Sequence, residues 1–217
     1  MKLIKQSHEI LYYNPKAIEI IERCARTCYK SEDKITENSA KKFVQMLLDK
    51  KHHAMIEFSD IIVKFITNRG VSHELVRHRL CSFAQESTRY VNYNSSDMEF
   101  IKPVWLHESY EDEKQMQQNV NEIKAKWQWA AVMSKAEQAY NELINFGWRP
   151  EQAREILPNS IKTEIIIKAN IREWRHILTL RTSKQSHPQM RALMIPLVKE
   201  LQSLIPIVFD DIKGETK

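Results

Sequence analysis

Glycine occurs only at Gly70, Gly147 and Gly214, and this scarcity excludes the usual ways of building a phosphate site from backbone amides. The G-x-G-x-x-G turn of a doubly wound dinucleotide domain and the glycine-bearing P-loop cannot be placed anywhere in the chain. A phosphate-bearing ligand must therefore be held by Arg, His, hydroxyls or helix N-termini. The formal net charge of +5 suits an anionic partner, but nucleotides, phosphate-bearing cofactors and nucleic acids fit it equally well.

Asn14-Pro15 predicts a helix entry, and "AIEIIERCARTCYK" behind it puts Ile18, Ile21, Ala25 and Cys28 on one stripe. Thr36 reads as the N-cap of a second helix carrying Phe43, Met46 and Leu47. Residues 60–67, "DIIVKFIT", read as a strand followed by a turn at Asn68-Arg69-Gly70. Ser72 then N-caps a short helix ending in Arg77-His78-Arg79, and "SFAQESTRYVNY" reads as extended. The longest periodic segment, 112–146, carries Met116, Trp127, Met133 and Tyr140 on its stripe and stops at Gly147. A short helix over 148–157, a strand over "KTEIIIKANI", a helix over 171–181 and a last helix from His187-Pro188 to Leu204, kinked at Pro196, follow. Strands interleave with helices without βαβ alternation, so the expected class is α+β, with long helices around a small, mainly antiparallel sheet. At 217 residues and 42% hydrophobic, a single domain over 1–217 is the default. Only the ends, including "KGETK", are expected to be disordered.

No apolar run approaches a membrane span, and "MKLIKQSHEILYYNPK" lacks the apolar stretch of a secretory signal, so a cytoplasmic protein is expected. Cys24, Cys28 and Cys81 are too few for a disulfide framework. Cys24 and Cys28 read as core residues of the first helix. Cys81 has arginines nearby that would lower a thiol's pKa, yet packing is the stronger reading. His73-Glu74 and His78 miss the H-E-x-x-H zinc pattern, because histidines five apart diverge by about 140° on a helix. No metal is expected. His52 reads as a helix-terminal residue, and His53 is left open.

The stretch "RHRLCSFAQESTRY" at 77–90 concentrates the chemistry. Arg77, His78, Arg79 and Arg89 offer cationic donors, and Gln85, Ser87 and Thr88 can hydrogen-bond a planar polar ring or a phosphate. Leu80, Cys81 and Phe83 between them look fit for a core. A solvated arginine-rich face is the plainer reading of the same charges.

Arg77-His78-Arg79, seven residues and then Ser87, continued by "STRY", resembles the signature of the flavin-dependent thymidylate synthases. Upstream, "HHAMIEF" is similar to that family's H-x-S-x-x-E-H segment, with His53 nearby and Glu57 at the position of its glutamate. Downstream, "AREILP" resembles the arginine-bearing segment, on Arg154, and "NIREWRHILTLR" resembles the stretch falling on Asn170, Arg172, Leu180 and Arg181. The resemblance runs from the first helix to about Arg191. Ala54, Phe58 and Ala84-Gln85 depart from the family's usual residues, and His176 stands where Asn is common.

The resemblance implies methylation of dUMP at C5 of the uracil, with methylenetetrahydrofolate as carbon donor and FAD, reduced by NADPH, as hydride donor, without a cysteine nucleophile. It implies that Arg181 activates the uracil, and that Arg77, His78, Arg79, Gln85, Asn170, Ile171, Arg172 and His176 hold FAD. Glu74, Leu75, Val76, Arg77, Gln85, Glu86, Ser87, Thr88, Arg89, Arg154 and Arg181 would hold dUMP, with Arg89 and Arg154 on its phosphate. Ser87 has no base beside it in the sequence, so binding is favoured over attack. A homotetramer with active sites at subunit interfaces is implied too, and neither nucleic acid nor membrane is an expected partner.

A non-catalytic nucleic-acid module with Phe83, Tyr90 and Tyr93 as stacking residues is the competing reading. It is weakened by lysines spread along the chain and balanced by 28 acids. A methyltransferase using Cys81 as nucleophile has no supporting motif.

Overall fold

The computed structural model describes residues 1–95, 97–106 and 120–214. The predicted start of the long helix at 112–119, with Met116, and the last residues of "KGETK" lie outside them. Among the described residues the strands are β1 (Lys2–Ile4), β2 (Ser7–Tyr13), β3 (Asp60–Asn68), β4 (Ser82–Gln85), β5 (Glu99–Ile101) and β6 (Lys162–Asn170). The helices are α1 (Ala17–Tyr29), α2 (Ser39–Asp49), α3 (Arg69–Leu75), α4 (Val120–Asn145), α5 (Pro150–Ala153), α6 (Ile171–Arg181) and α7 (Pro188–Leu204). The α+β class with a small antiparallel sheet is as expected. The four-stranded sheet has the order β2-β3-β6-β4, and β1 pairs separately with β5, in parallel.

Strict alternation makes β3 and β6 strands. Ile61, Val63, Phe65 and Thr67 are buried in one, Thr163, Ile165, Ile167 and Ala169 in the other, and the residues between them are more exposed. Both strands run straight into helices. The predicted turn at Asn68-Arg69-Gly70 is instead this junction: Asn68 Oδ1 accepts from Val71 N at 2.8 Å and caps α3, leaving Ser72 buried inside the helix. Similarly Asn170 Oδ1 accepts from Glu173 N at 2.9 Å and starts α6. Thr36 does not cap α2; its N–H donates to Ser39 Oγ at 2.9 Å and the helix begins at Ser39. The expected extended run after Ser82 stops at Gln85, because Tyr90 and Val91 both donate to the Ser87 carbonyl and close a turn.

The backbone divides into two compact units, Met1–Ser7, Ile66–Glu74 and Gln85–Ile165, and His8–Phe65, Leu75–Ala84 and Ile166–Lys217. In the first, Met98, Phe100, Met133, Tyr140, Ala153 and Ile161 form the core. The α4 helix stops as predicted at Gly147, whose φ of 90° is a conformation that glycine adopts without a Cβ clash. Trp127 on that helix is 73% exposed, whereas Tyr140 is fully buried.

In the second unit α1 packs on α2 and on the 3-10 turn His53–Phe58, which α6 also packs against. Trp174 of α6 is fully buried, donates from Nε1 to the Ile61 carbonyl at 3.0 Å and lies against Phe65. Truncating such a side chain to Ala costs about 3–5 kcal/mol. Cys28 is exposed in the last turn of α1, where Lys30 turns the chain away in a left-handed conformation, so it is not the core residue the stripe predicted. No described helix is long and apolar enough to cross a membrane.

Candidate active site

The second unit contains a cavity of about 700 Å³ bounded by α6 on one side and by His53, Glu57 and Leu80 on the other. Its wall follows from helical spacing. With Asn170 fixed as N-cap, Arg172, Arg175, His176 and Thr179 recur at steps of three and four and line the cavity. Trp174, Ile177 and Leu178 on the opposite side are buried. Arg172 and His176 thus share a face as predicted. Ile171 is fully buried, and its N–H donates to the Ser59 carbonyl at 2.9 Å.

Beside the cavity, His78 is 6% exposed and sits between three residues of α6. Its Nε2 accepts a hydrogen bond from Arg181 Nε at 3.0 Å, its Nδ1 lies 3.7 Å from Glu173 Oε1, and its ring meets the His176 ring edge-on at 5.9 Å. Burial, then the charges of Arg181 and His176, push its pKa down to about 4, so the imidazole is neutral at neutral pH. The ligand atoms of His78, Glu173 and His176 lie within 4.8 Å of one another, a grouping that could hold a metal ion. Arg181 already occupies His78 Nε2 and brings a fixed positive charge, which opposes that use.

The cations of the cavity are differently engaged. Arg172 Nη1 donates to Glu57 Oε1 at 2.6 Å, with both side chains about half exposed. Arg175 is engaged by a bidentate pair with Asp211, 2.6 Å on each arm, and by the Val208 carbonyl. Burial, then Arg175 and Arg172, lower the pKa of His53, so this ring too favours its neutral form. Arg77 and Arg79 flank the buried His78 with exposed side chains.

The remaining predicted residues include the first unit's Glu74, Gln85 to Arg89 and Arg154. Gln85 Nε2 donates to Ser72 Oγ at 2.9 Å and Thr163 Oγ1 at 3.2 Å. Glu86 accepts from the Tyr93 hydroxyl at 2.6 Å and pairs with Lys162 at 3.3 Å. Ser87 Oγ accepts from the Arg89 N–H at 3.3 Å, Thr88 is buried, and Arg89 is exposed over the Tyr90 ring. Arg154 lies in a 3-10 turn, 3.8 Å from Glu155 and partly exposed, and Glu74 is partly buried. Leu75 and Val76 belong to the second unit; the Leu75 side chain is fully buried and Val76 is exposed.

Several expectations change. Leu80 is 77% exposed at the cavity wall, and Cys81 and Phe83 are only half-buried, so the apolar residues of the motif are no core. The Cys81 thiol is pushed up to about 12, by burial first and by Glu173 second, the opposite of arginine activation. Tyr93 is tied to Glu86 and packed edge-on against Tyr140, so it presents no stacking face, whereas Tyr90 is exposed. Glu173 went unrecognised. It reads locally as the N3 acid of an N-x-x-E capping box, a pattern that hides its position facing His78.

The family model for the thymidylate synthase complementing protein matches residues 9–207, nearly the whole chain and both units. The flavin-dependent thymidylate synthase of Corynebacterium aurimucosum is 31% identical over 197 residues, 88% of this chain and 78% of that protein. The chain belongs to the flavin-dependent thymidylate synthase family. Among solved structures, a UMP/dUMP methylase, PolB, of Streptomyces cacaoi bound with 5-Br dUMP superposes with a TM-score of 0.79 at 20% identity, covering 97% of this chain and 96% of that one. Thymidylate synthase X of Helicobacter pylori, with FAD and dUMP, gives 0.75 at 22% identity, over 95% and 98%. At those identities the two structures establish a shared fold.

Proposed function

We propose that this chain converts dUMP to dTMP by reductive methylation, with methylenetetrahydrofolate as carbon donor and FAD, reduced by NADPH, as hydride donor. The observation that carries the reading is the hydrogen bond from Arg181 to the buried His78, beside a cavity walled by Arg172 and His176. Family membership supports it.

The residues of the cavity fit a flavin. Its volume lies in the usual range for cofactor sites. Arg172, half exposed, offers a fork to a phosphate, and His53, favoured as a neutral ring, can both donate to and accept from a heteroaromatic edge. Arg77, His78, Arg79, Asn170, Arg172 and His176 are assigned to the flavin, with Ile171 supporting them from the core. Bound reduced FAD would supply the hydride. Arg181 is assigned to the uracil: a pre-positioned guanidinium in a dry site stabilises the negative charge that develops on the ring. Gln85 to Arg89 and Arg154 are assigned to dUMP, the two arginines to its phosphate. Ser87 serves binding, and Cys81, a neutral thiol, takes no nucleophilic part. The enzyme works as a single functional domain, a cytoplasmic homotetramer whose exposed Trp127 is apolar surface available for assembly.

The test is the absorbance spectrum of the purified protein for bound flavin, followed by NADPH-dependent dTMP formation from dUMP and methylenetetrahydrofolate under anaerobic conditions. Flavin uptake with turnover is expected; neither flavin nor dTMP would overturn the assignment.

A further inference from the structure

We infer that Glu173 is a positioning residue, holding the proton of His78 on Nδ1 so that Nε2 stays the acceptor that orients Arg181. This rests on the reading of Arg181 as the activating group. The tautomer follows from donor and acceptor chemistry. A guanidinium only donates, and Arg181 Nε points at His78 Nε2 from 3.0 Å. Nε2 must present its lone pair, and a neutral imidazole then carries its one proton on Nδ1. Nδ1 is the nitrogen that faces Glu173, 3.7 Å from Oε1. That separation exceeds a direct hydrogen bond, so the coupling is electrostatic, or is closed by a small approach of two side chains that are each under a tenth exposed. The other tautomer would aim two N–H groups at each other and set a lone pair against a carboxylate. Protonation at both nitrogens is opposed first by burial and then by the charges of Arg181 and His176.

Helix geometry makes the arrangement rigid. Glu173 sits in the first turn of α6, its N–H bound to Asn170 Oδ1, and Arg181 sits at the other end of the same helix. The two ends grip one imidazole, so the plane of the Arg181 guanidinium is set by the ring and the ring by the carboxylate. The arrangement parallels the carboxylate that fixes a catalytic histidine's tautomer in a hydrolase triad. Here the oriented group is a guanidinium, and no proton moves.

The test begins on the wild-type protein, labelled with 15N-histidine, with His78 assigned by difference against His78→Asn. The expected spectrum has a protonated Nδ1 and a bare Nε2; a protonated Nε2 overturns the inference without any variant being needed. In Glu173→Leu the Arg181 donor alone still favours the Nδ1–H tautomer, so its population drops and kcat falls on the order of a hundredfold, while the KM for dUMP stays within about threefold of wild type. Glu173→Gln keeps an oxygen acceptor and restores both the Nδ1–H signal and most of kcat. A Glu173→Leu enzyme with the wild-type tautomer and kcat, or a Glu173→Gln enzyme no better than Leu, also overturns it. Wild-type protein that shows the Nδ1–H tautomer but forms no dTMP contradicts the proposed function instead.

Discussion

Arg172 Nη1 meets Glu57 Oε1 at 2.6 Å across the mouth of the cavity, joining the exposed face of α6 to the 3-10 turn at His53–Phe58. With both side chains about half exposed, solvent screens the pair and it contributes under about 1 kcal/mol to folding. Its value lies in holding a guanidinium where an anionic cofactor would bind. Arg172→Ala is expected to weaken flavin binding about tenfold to a hundredfold, the size of one or two charge-assisted hydrogen bonds, with stability nearly unchanged. Fluorescence titration with FAD and a thermal melt separate the two effects. Unchanged flavin affinity would remove Arg172 from the site.

Cys81 is expected to be inert. Burial, then Glu173, holds its thiol up to about 12, so at neutral pH the thiolate fraction is negligible. Cys81→Ala should retain dTMP formation within about threefold, because only a half-buried packing group is lost. Wild-type Cys81 should also resist iodoacetamide at pH 7.5, read by mass spectrometry of the Cys81 peptide. Rapid alkylation accompanied by loss of turnover would restore the nucleophile reading.

Acid should destabilise the fold through His78. Its native pKa, about 4, lies below its ordinary value of 6.5. Between those values the unfolded chain binds a proton that the native chain excludes, so stability is fully present above about pH 6.5 and is lost as pH falls toward 4. The full effect of this one buried ring is about 3 kcal/mol, and His53, also lowered, adds in the same direction. Asp211, held below its usual range by its hydrogen bonds to Arg175, loses its contribution only as pH drops through and below the ordinary carboxylate range, a lower window. Urea denaturation at pH 7.5, 6 and 5 is expected to show this fall, and His78→Asn to flatten it. Equal slopes in the two proteins would mean that His78 titrates normally.

Local patterns were legible where a single segment carries its own instruction. Alternation marked β3 and β6, Gly147 marked the end of α4, and the spacing of Arg172 and His176 marked one face of α6. What escaped depends on partners distant in the chain. β1 was missed because Lys2–Ile4 is a strand only by pairing with Glu99–Ile101, a relation tied down by Lys2 and Glu99, 97 residues apart. His78 and Arg181 are 103 residues apart, so the motif around His78 named the histidine without naming what it accepts from. Leu80 misled for a different reason: its apolarity reads as core, yet an apolar side chain also suits a cavity wall.

Lys162 shows how the first unit supports the segment that begins at Gln85. Its Nζ lies 2.7 Å from Glu164, 3.3 Å from Glu86 and 3.9 Å from Glu99, with the side chain only 16% exposed. Burial works against that charge, but the hydrogen bonds and charges of Glu164 and Glu86 outweigh it and hold the ammonium above its usual pKa. Lys162→Met would leave these carboxylates facing one another without their shared cation, while Glu99 keeps Lys2 at 2.8 Å and Glu86 keeps the Tyr93 hydroxyl. The expected cost is about 2–3 kcal/mol. Tyr93→Phe removes only the 2.6 Å bond to Glu86 Oε1 and leaves the lysine in place, at a cost of about 1–2 kcal/mol. Glu86 precedes Ser87, so both variants should also raise the KM for dUMP, Lys162→Met the more strongly. Urea midpoints with unchanged m-values, read beside dUMP saturation curves, check the order; a Tyr93→Phe protein as unstable as Lys162→Met would show that the tyrosine, and not the part-buried lysine, holds Glu86.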